Sequence, residues 1–444
     1  MRSYKLNYLF FSLLMIIFIS QYHTLILPLL IGNFPSYVIH VIIAFLLLIG
    51  VLLFYSQRKH NGQYIFSQKY STIYLGPFLM LLLIELIRTA FFPKINDVEL
   101  PFVLLYLSSP FLLYFLVYSY FSSIQKMHPN KIFLMLIKPY VWLCHLIVFL
   151  SIFVFMLSFI GIINPLDYPM KENLTFWTDN NAETLGSRYL FPLNLTVILD
   201  TVRIPFLNTF GIFCGLSHEP HIATLFITPA FFFSIYLFKN IKLTLILCCY
   251  VFFMLIATST TNLLIFFPLL IFWIFLKRKH NTSSPFSIWG IIIILILLYF
   301  ISSSEIIIQL TDFLNAKLYS QGGSLDYSQS FLKYIIEPKS LFGYGVWKIP
   351  YPHANVDDIG FVGMISMFGI FILFFKYIIS NLMNKSFYPV GCAGLYFLLH
   401  SLKIPQLTLI YPYTFYILFI LILCSRLGTK IKVNYYENYK ITNR

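Results

Sequence analysis

Long hydrophobic runs, separated by short polar connections, make up most of this chain. Each run holds about 16 to 24 apolar residues, enough for a helix to cross a hydrocarbon layer about 30 Å thick. The runs lack the strict alternation of apolar and polar positions that membrane strands require, so the pattern predicts helices. We predict an all-α fold with about twelve spans. They cover residues 8–31, 36–55, 72–92, 100–121, 139–162, 220–238, 242–257, 260–276, 286–302, 359–379, 387–401 and 407–424.

Lysine and arginine residues gather in every second connection between these spans. They stand near residues 2–5, 58–69, 126–138, 239–242, 277–279, 385 and 426–444. Since positively charged connections stay in the cytoplasm, we predict that both termini are cytoplasmic. Two long polar segments, 163–211 and 303–357, then lie together on the extracytoplasmic side. We expect both segments to contain short helices and to build a site there, because simple anchoring needs only short turns.

The composition favours a membrane protein without a separate soluble domain. Hydrophobic residues make up 59% of the chain and charged residues 10%, too few to cover a water-soluble surface. The formal net charge of +14 is spread over alternate short connections, as membrane insertion requires, so we predict no nucleic-acid partner. The six cysteines form no CxxC pair, so we expect no metal site. We predict one integral membrane domain over residues 1–444.

The first long segment leads into a helix start with candidate chemistry around it. Proline is favoured at the first helical position and a polar residue before it caps free amides, so Glu219-Pro220 predicts a helix start. The positive end of that helix favours an anion, either the Glu219 side chain or a ligand phosphate. A simpler interpretation stays open, in which Glu219 only caps and Arg203 pairs with a lipid headgroup. The titratable residues near this end are Arg188, Arg203, His218, Glu219 and His221.

The second long segment carries a histidine and two acids close to the next span. Two apolar stretches predict surface helices, and turn-rich residues after them can bring side chains back over the membrane. His353 can act as a base or a donor near neutral pH, and Asp357 or Asp358 can orient it or serve as the base. The alternative is that His353 is an ordinary loop residue. The adjacent aspartates are not a DxD motif, so we infer no divalent cation.

Charged and titratable side chains also occur inside or at the ends of the predicted spans. Glu85 and Arg88 lie three residues apart, so they can meet on one helical face. Two interpretations stay open for this pair: an internal ion pair, or support for the extracytoplasmic site. His400 and Lys403, at the outer end of the eleventh span, can meet a lipid phosphate, although Lys403 can also extend its amine to the interface without a specific partner.

Three short motifs follow one another along the chain. The first covers residues 203–223, the second is a Gly-x-Gly turn within residues 336–345, and the third is an Asp-x-Gly-aromatic pattern that begins at Asp358. Together with the layout of the spans, they resemble the Wzy-type O-antigen and capsule repeat-unit polymerases, which are relatives of the O-antigen ligases. The matching residues of the first motif are Arg203, Gly211, Phe213, Glu219, Pro220 and Ala223.

The resemblance implies a glycosyltransferase of the bacterial cytoplasmic membrane that works at the outer face without a cofactor. It would transfer a glycan from a polyprenyl diphosphate to a sugar hydroxyl of another lipid-linked repeat unit. Membrane lipid and a chain-length regulator protein are the further partners it implies. The candidate catalytic residues are Arg203, Glu219, His353 and Asp358. The candidate substrate-binding residues are Arg188, His218, His221, Arg88, His400 and Lys403.

Two other activities stay open. An O-antigen ligase shares this layout, but ligases usually show a His-Asn pair followed by GxxG. Here Ala354 separates His353 from Asn355, and Gly369 has no partner glycine at Ile372. A flippase for lipid-linked oligosaccharides has about as many spans, but we expect it to show two similar halves. These departures favour a polymerase.

Overall fold

Helices dominate the computed structural model of this chain. Several predicted features, among them the span at 286–302 and nearly all of the segment at 303–357, lie outside the described residues. The structure describes residues 2–20, 36–56, 72, 74–76, 79, 80, 82, 83, 86, 87, 100–123, 129–164, 167, 188–191, 195–198, 212–217, 220–257, 259–279, 312, 369, 371–401 and 412–427.

Proline marks the beginning of several helices. It stands at the first residue of α4, α5 and α10, where its missing amide is not needed for a helical hydrogen bond. The helices are α1 Arg2–Ser20, α2 Ser36–Tyr55, α3 Leu100–Ser123, α4 Pro129–Phe159, α5 Pro220–Phe233, α6 Asn240–Ala257, α7 Thr260–Lys279, α8 Phe371–Leu382, α9 Tyr388–Ser401 and α10 Pro412–Leu427. The described part of the chain also contains three short strands, β1 Arg188–Phe191, β2 Leu195–Ile198 and β3 Ile212–Phe213.

The predicted bounds agree with the structure at some helix ends and shift at others. The predicted span 36–55 is α2 itself. α4 begins earlier than its predicted start at Pro139, because the helix accommodates that proline in its interior. α5 ends at Phe233 and is followed by a 3-10 turn, Ser234–Tyr236, in which Ser234 Oγ donates to the backbone oxygen of Ala230 at 2.7 Å.

Length decides which helices can be assigned to a membrane from the structure alone. Among the described residues, one helical segment, Ile132–Phe159, is both long enough and apolar enough to cross a hydrocarbon layer. The other apolar segments found there have 10–17 residues. A fold with twelve spans therefore stays a prediction.

β1 and β2 lie in the first long segment and β3 follows it directly; these strands were not predicted, and most of the residues where short helices are expected lie outside the described residues. The strands pair antiparallel in the order β1-β2-β3. Aromatic and β-branched residues dominate the strands, and runs this short favour strand pairing over a helix. Phe213 of β3 packs on Phe155 of α4, with ring centroids 5.4 Å apart, so the sheet is fixed to the helices at this point.

α5 occupies the centre of the helix packing. It contacts α4, α6, α7 and α9, and its residues from Ile222 to Phe233 are all buried. α5 runs antiparallel to α4, because Tyr236 just beyond its end packs on Phe133 and Phe226 packs on Tyr140. An apolar helix that is buried on all sides has no face in contact with water, so packing contacts around its whole circumference fix its position.

One face of α4 is apolar and yet exposed. Five of its side chains follow one another at spacings of four and three residues, so they form one stripe along the helix. They are Trp142, Leu146, Phe149, Phe153 and Met156. Their side chains are 45% to 58% exposed. We call these five residues the α4 stripe. Soluble monomers rarely expose apolar surface of this extent, so the stripe indicates contact with lipid or with another protein.

Candidate functional site

The N-terminus of α5 lies about halfway along α4 and not at its end. The Tyr140 hydroxyl donates to the backbone oxygen of Phe226, and Cys144 Sγ lies 3.8 Å from the same oxygen. Pro220 precedes Phe226 by six residues, which is roughly 9 Å along a helix axis. Because the two helices are antiparallel, Pro220 is level with a point well short of Phe159, the last residue of α4.

Residues 212–217, which lead from the sheet toward α5, run alongside α4, and we call them the descending segment. A Cβ atom added to Gly215 would lie 3.0 Å from Cγ2 of Ile147, so the backbone passes close to the middle of α4. Gly215 has a φ of 58°, a left-handed conformation that favours glycine and turns the chain toward α5. Residues 212–217 are buried or half-buried. An irregular segment therefore lies within the helix packing.

Two buried hydroxyls lie along this descending segment. Ser151 on α4 and Ser217 just before α5 are almost fully buried, and neither side chain bonds to any residue that the structure describes. The added Cβ of Gly215 would lie 3.7 Å from Ser151 Oγ, which places that hydroxyl against the segment. Buried hydroxyls usually find a partner, so these two suit a bound water or a polar group of a ligand.

Five uncharged polar side chains, all buried, form a cluster between α5, α7 and α9. The Tyr396 hydroxyl donates to Asn262 Oδ1 at 2.6 Å, and Thr228 Oγ1 donates to the same oxygen at 3.2 Å. The hydroxyls of Thr228 and Thr224 lie near that of Tyr396. Ser259 joins the cluster by accepting a bond from the backbone amide of Asn262 at 3.3 Å. We call Thr224, Thr228, Ser259, Asn262 and Tyr396 the polar cluster.

Two helix N-termini border the polar cluster. Ser259 caps α7 through the bond that it accepts from the amide of Asn262. Thr224 Oγ1 donates to the backbone oxygen of Pro220 at 2.9 Å, which places the cluster one turn from the beginning of α5. The N-terminus of α7 is level with Thr228, two turns into α5, and the positive end of each helix dipole favours an anion or a hydrogen-bond acceptor.

The last turn of α9 lies at the same level as the beginning of α5. The two helices run antiparallel, since Tyr236 OH donates to the backbone oxygen of Ser386 at 2.9 Å near the start of α9, and Tyr396 reaches Thr224 further on. His400 follows Tyr396 by one helical turn, toward the α5 N-terminus. Its side chain is 1% exposed, and its ring centroid lies 5.5 Å from that of Tyr396.

Three of the predicted site residues are described, and two of them occupy one end of the packed α5–α9 pair. His221 lies half-buried in the first turn of α5, and His400 lies buried near the end of α9. Arg188 is the first residue of β1, in the sheet whose last strand leads into the descending segment. The other predicted site residues lie outside the described residues: Arg88, Arg203, His218, Glu219, His353, Asp358 and Lys403.

The polar cluster was not predicted from the sequence. Its members are uncharged and stand singly inside apolar runs, where a threonine or tyrosine usually faces the backbone or the core. One signal was available, because Thr224 and Thr228 lie four residues apart, as do Tyr396 and His400, and each pair therefore shares a helical face. Their meeting across three helices depends on packing that no local pattern specifies.

The described part of the chain contains no group of three or more His, Cys, Asp and Glu side chains placed to hold a metal ion. Its hydroxyl, amide and imidazole groups are instead suited to hydrogen bonding. No protein-family model matches this chain, and no curated protein is similar to it in sequence.

Proposed function

We propose that this chain is a multi-pass protein of the bacterial cytoplasmic membrane, with about twelve spans and both termini in the cytoplasm. The 28-residue segment Ile132–Phe159 supports the proposal, because it is long and apolar enough to cross a bilayer. The α4 stripe supports it as well, since its bulky apolar side chains suit acyl chains better than water. The basic groups in alternate connections supply the orientation.

Within that membrane, we propose that the chain polymerises glycan repeat units. It would move a glycan from one polyprenyl diphosphate to a sugar hydroxyl of another lipid-linked repeat unit. The bond between the anomeric carbon and the diphosphate oxygen breaks, and its electron pair leaves with the diphosphate. The acceptor oxygen forms the new bond to that carbon, and its proton passes to a base. Glu219, His353 and Asp358 are the candidates for that base.

One observation carries the proposal: α5 begins deep between other helices, beside buried polar groups. A helix that merely anchors a protein is expected to begin at the membrane surface, where water satisfies its first amides. Arg203 and Glu219 lie outside the described residues, and we propose that they act near the N-terminus of α5. The helix dipole and an arginine there would favour the charge that develops on the leaving diphosphate.

The products that accumulate without the gene test this activity. In a strain of the source bacterium that lacks the gene, we expect single repeat units on lipid carriers, and the intact gene should restore long polymer. Arg203→Ala should fail to restore it while the protein remains in the membrane, because a fixed guanidinium grips the departing diphosphate. Arg58→Ala is the matched control, since Arg58 lies in a connection predicted to be cytoplasmic. It should restore polymer.

Other products would identify the alternative activities. Full-length polymer retained on its lipid carrier would indicate a ligase, and repeat units trapped inside the cell would indicate a flippase. Long polymer made by Arg203→Ala cells would contradict the role given to that arginine.

A further inference from the structure

Ser151 and Ser217 differ from comparable buried serines because their hydroxyls bond to no residue that the structure describes. The two side chains are 0% and 2% exposed, and both Oγ atoms are themselves buried. Ser123 and Ser234 show the usual arrangement, since each donates to a backbone oxygen three or four residues earlier, at 2.6 Å and 2.7 Å. A buried hydroxyl without a bond costs free energy, so a pair of them in one region indicates a further partner.

A tight turn places both hydroxyls at the same part of the contact between α4 and the descending segment. The amide of Ser217 donates to the backbone oxygen of Cys214 at 3.0 Å, so residues 214–217 form a four-residue turn with Gly215 at positive φ. A Cβ atom added to Gly215 would lie 3.7 Å from Ser151 Oγ. The hydroxyl of Ser151 on α4 therefore lies against the turn that ends at Ser217.

The turn adds backbone donors to the two hydroxyls. The bond that closes it uses the carbonyl of Cys214 and the amide of Ser217, so the turn itself makes no use of the amides of its middle residues, Gly215 and Leu216. A buried water typically makes about three hydrogen bonds, and two hydroxyls with one such amide supply that number.

The surroundings of the turn favour a small neutral ligand. The other atoms close to an added Cβ of Gly215 belong to Ile147 on α4 and Ile227 on α5, so apolar side chains border the turn on both sides. Uncharged hydroxyls cannot balance the charge of an ion that has lost its hydration shell. Water is neutral and can both donate and accept, as a serine hydroxyl does.

We propose that Ser151, Ser217 and the turn formed by residues 214–217 are a binding site for a buried water molecule. The inference goes beyond the proposed function and does not depend on it, because it rests on packing alone. A water bonded to both serines links α4 to the descending segment. It also supplies hydrogen bonds to irregular backbone at a depth where helices satisfy their own.

Removal of each hydroxyl tests the site, because a hydrated site and a dry site respond differently. Ser151→Ala and Ser217→Ala should each lower the Tm of the purified protein by about 2 °C, since each variant loses a bond to the water. The double variant should lose clearly less than the sum, because both bonds go to one molecule. Ser234→Ala is the matched control and should lower Tm by a similar amount, since it removes a bond that the structure shows.

A map from electron cryomicroscopy, at a resolution that shows ordered waters, supplies a direct check. We expect a peak within about 3.2 Å of both Oγ atoms. Three results would overturn the inference: an unchanged or higher Tm in the single variants, additive losses in the double variant, or a map with no peak there or with a protein group bonded to the two hydroxyls. Polymerase activity enters neither measurement, so the proposed function stands or fails separately.

Discussion

Gly215 determines how closely the segment before α5 approaches α4. Two constraints apply to this residue. Its φ is positive, and a Cβ atom added to it would lie 3.0 Å from the side chain of Ile147. Gly161 has a positive φ of 75° as well, but an added Cβ there would have no atom within 4 Å. A comparison of the two glycines therefore separates the effect of backbone strain, which is present at both, from that of close packing, which is present at Gly215 alone.

Alanine at each glycine should destabilise the protein to different extents. Gly161→Ala is expected to cost about 1 kcal/mol, because an L-residue is strained at positive φ. Gly215→Ala should cost roughly 2 to 3 kcal/mol, since the clash with Ile147 adds to that strain. Thermal unfolding of the purified variants in one detergent would show which variant loses more stability. Equal melting temperatures would contradict the close approach of residues 212–217 to α4.

For single residues, the sequence predicts where along the chain a helix starts but not how deep between the other helices that start lies. Proline after a polar residue correctly indicated that α5 begins at Pro220. Its depth depends on the bonds that Tyr140 and Cys144 make to Phe226, and these residues are more than 80 positions apart. No local pattern reports such a distant contact. The same holds for the polar cluster, in which Tyr396 and Asn262 are 134 residues apart.

Among the elements, α5 is short, and from Ile222 to Phe233 it is entirely enclosed. Its 14 residues span roughly 21 Å, less than a hydrocarbon layer needs. In the proposed membrane arrangement, the remaining length would be occupied by residues 212–217, which pack beside the middle of α4. Irregular backbone at such depth is tolerated where protein surrounds it or where it lines a cavity.

Thiol labelling tests the depth of this segment. The native Cys214 is buried, so a membrane-impermeant maleimide should not label it in intact cells, in a variant that retains no other cysteine. Asn164→Cys in a cysteine-free chain should be labelled from outside, because Asn164 is exposed beyond the end of α4. Denaturation should make Cys214 reactive. Labelling of Cys214 at the rate found for Asn164→Cys would show that the segment lies at the surface instead.

The helices were more predictable than the sheet because they arise from long uniform runs. Each run of apolar residues has one favourable structure in lipid, whatever its neighbours are. The strands β1, β2 and β3 have four, four and two residues, and their pairing depends on partners brought together by the fold. Short apolar stretches of this kind fit a strand or a buried turn equally well, so the sheet was missed.

For the molecule as a whole, the surface of α4 is where the proposed contact with lipid can be tested. The α4 stripe is apolar along its length, whereas the opposite side of the same helix is buried against other helices. Two tryptophans illustrate the contrast between exposed and buried positions. Trp142 belongs to the stripe and is half exposed, while Trp273 on α7 is fully buried.

Fluorescence quenching by lipid distinguishes these two tryptophans. In vesicles of brominated phosphatidylcholine, a variant that keeps only Trp142 should be strongly quenched, because bromine atoms on acyl chains can touch its ring. A variant that keeps only Trp273 should be quenched much less, since protein shields it. No quenching of Trp142 would mean that the α4 stripe is covered by something other than lipid, and equally strong quenching of both would contradict the shielding of Trp273.

The sequence distance between the members of the polar cluster has a consequence for biosynthesis. α5 and α7 leave the ribosome long before α9, which carries the third partner. In the interval, Thr228 and Asn262 can satisfy each other through their own hydrogen bond. The arrival of α9 then adds Tyr396 to an acceptor that is already oriented. Docking of α9 is thus a late assembly step, and a nascent chain that stalls before it would leave a polar seam open to proteolytic quality control.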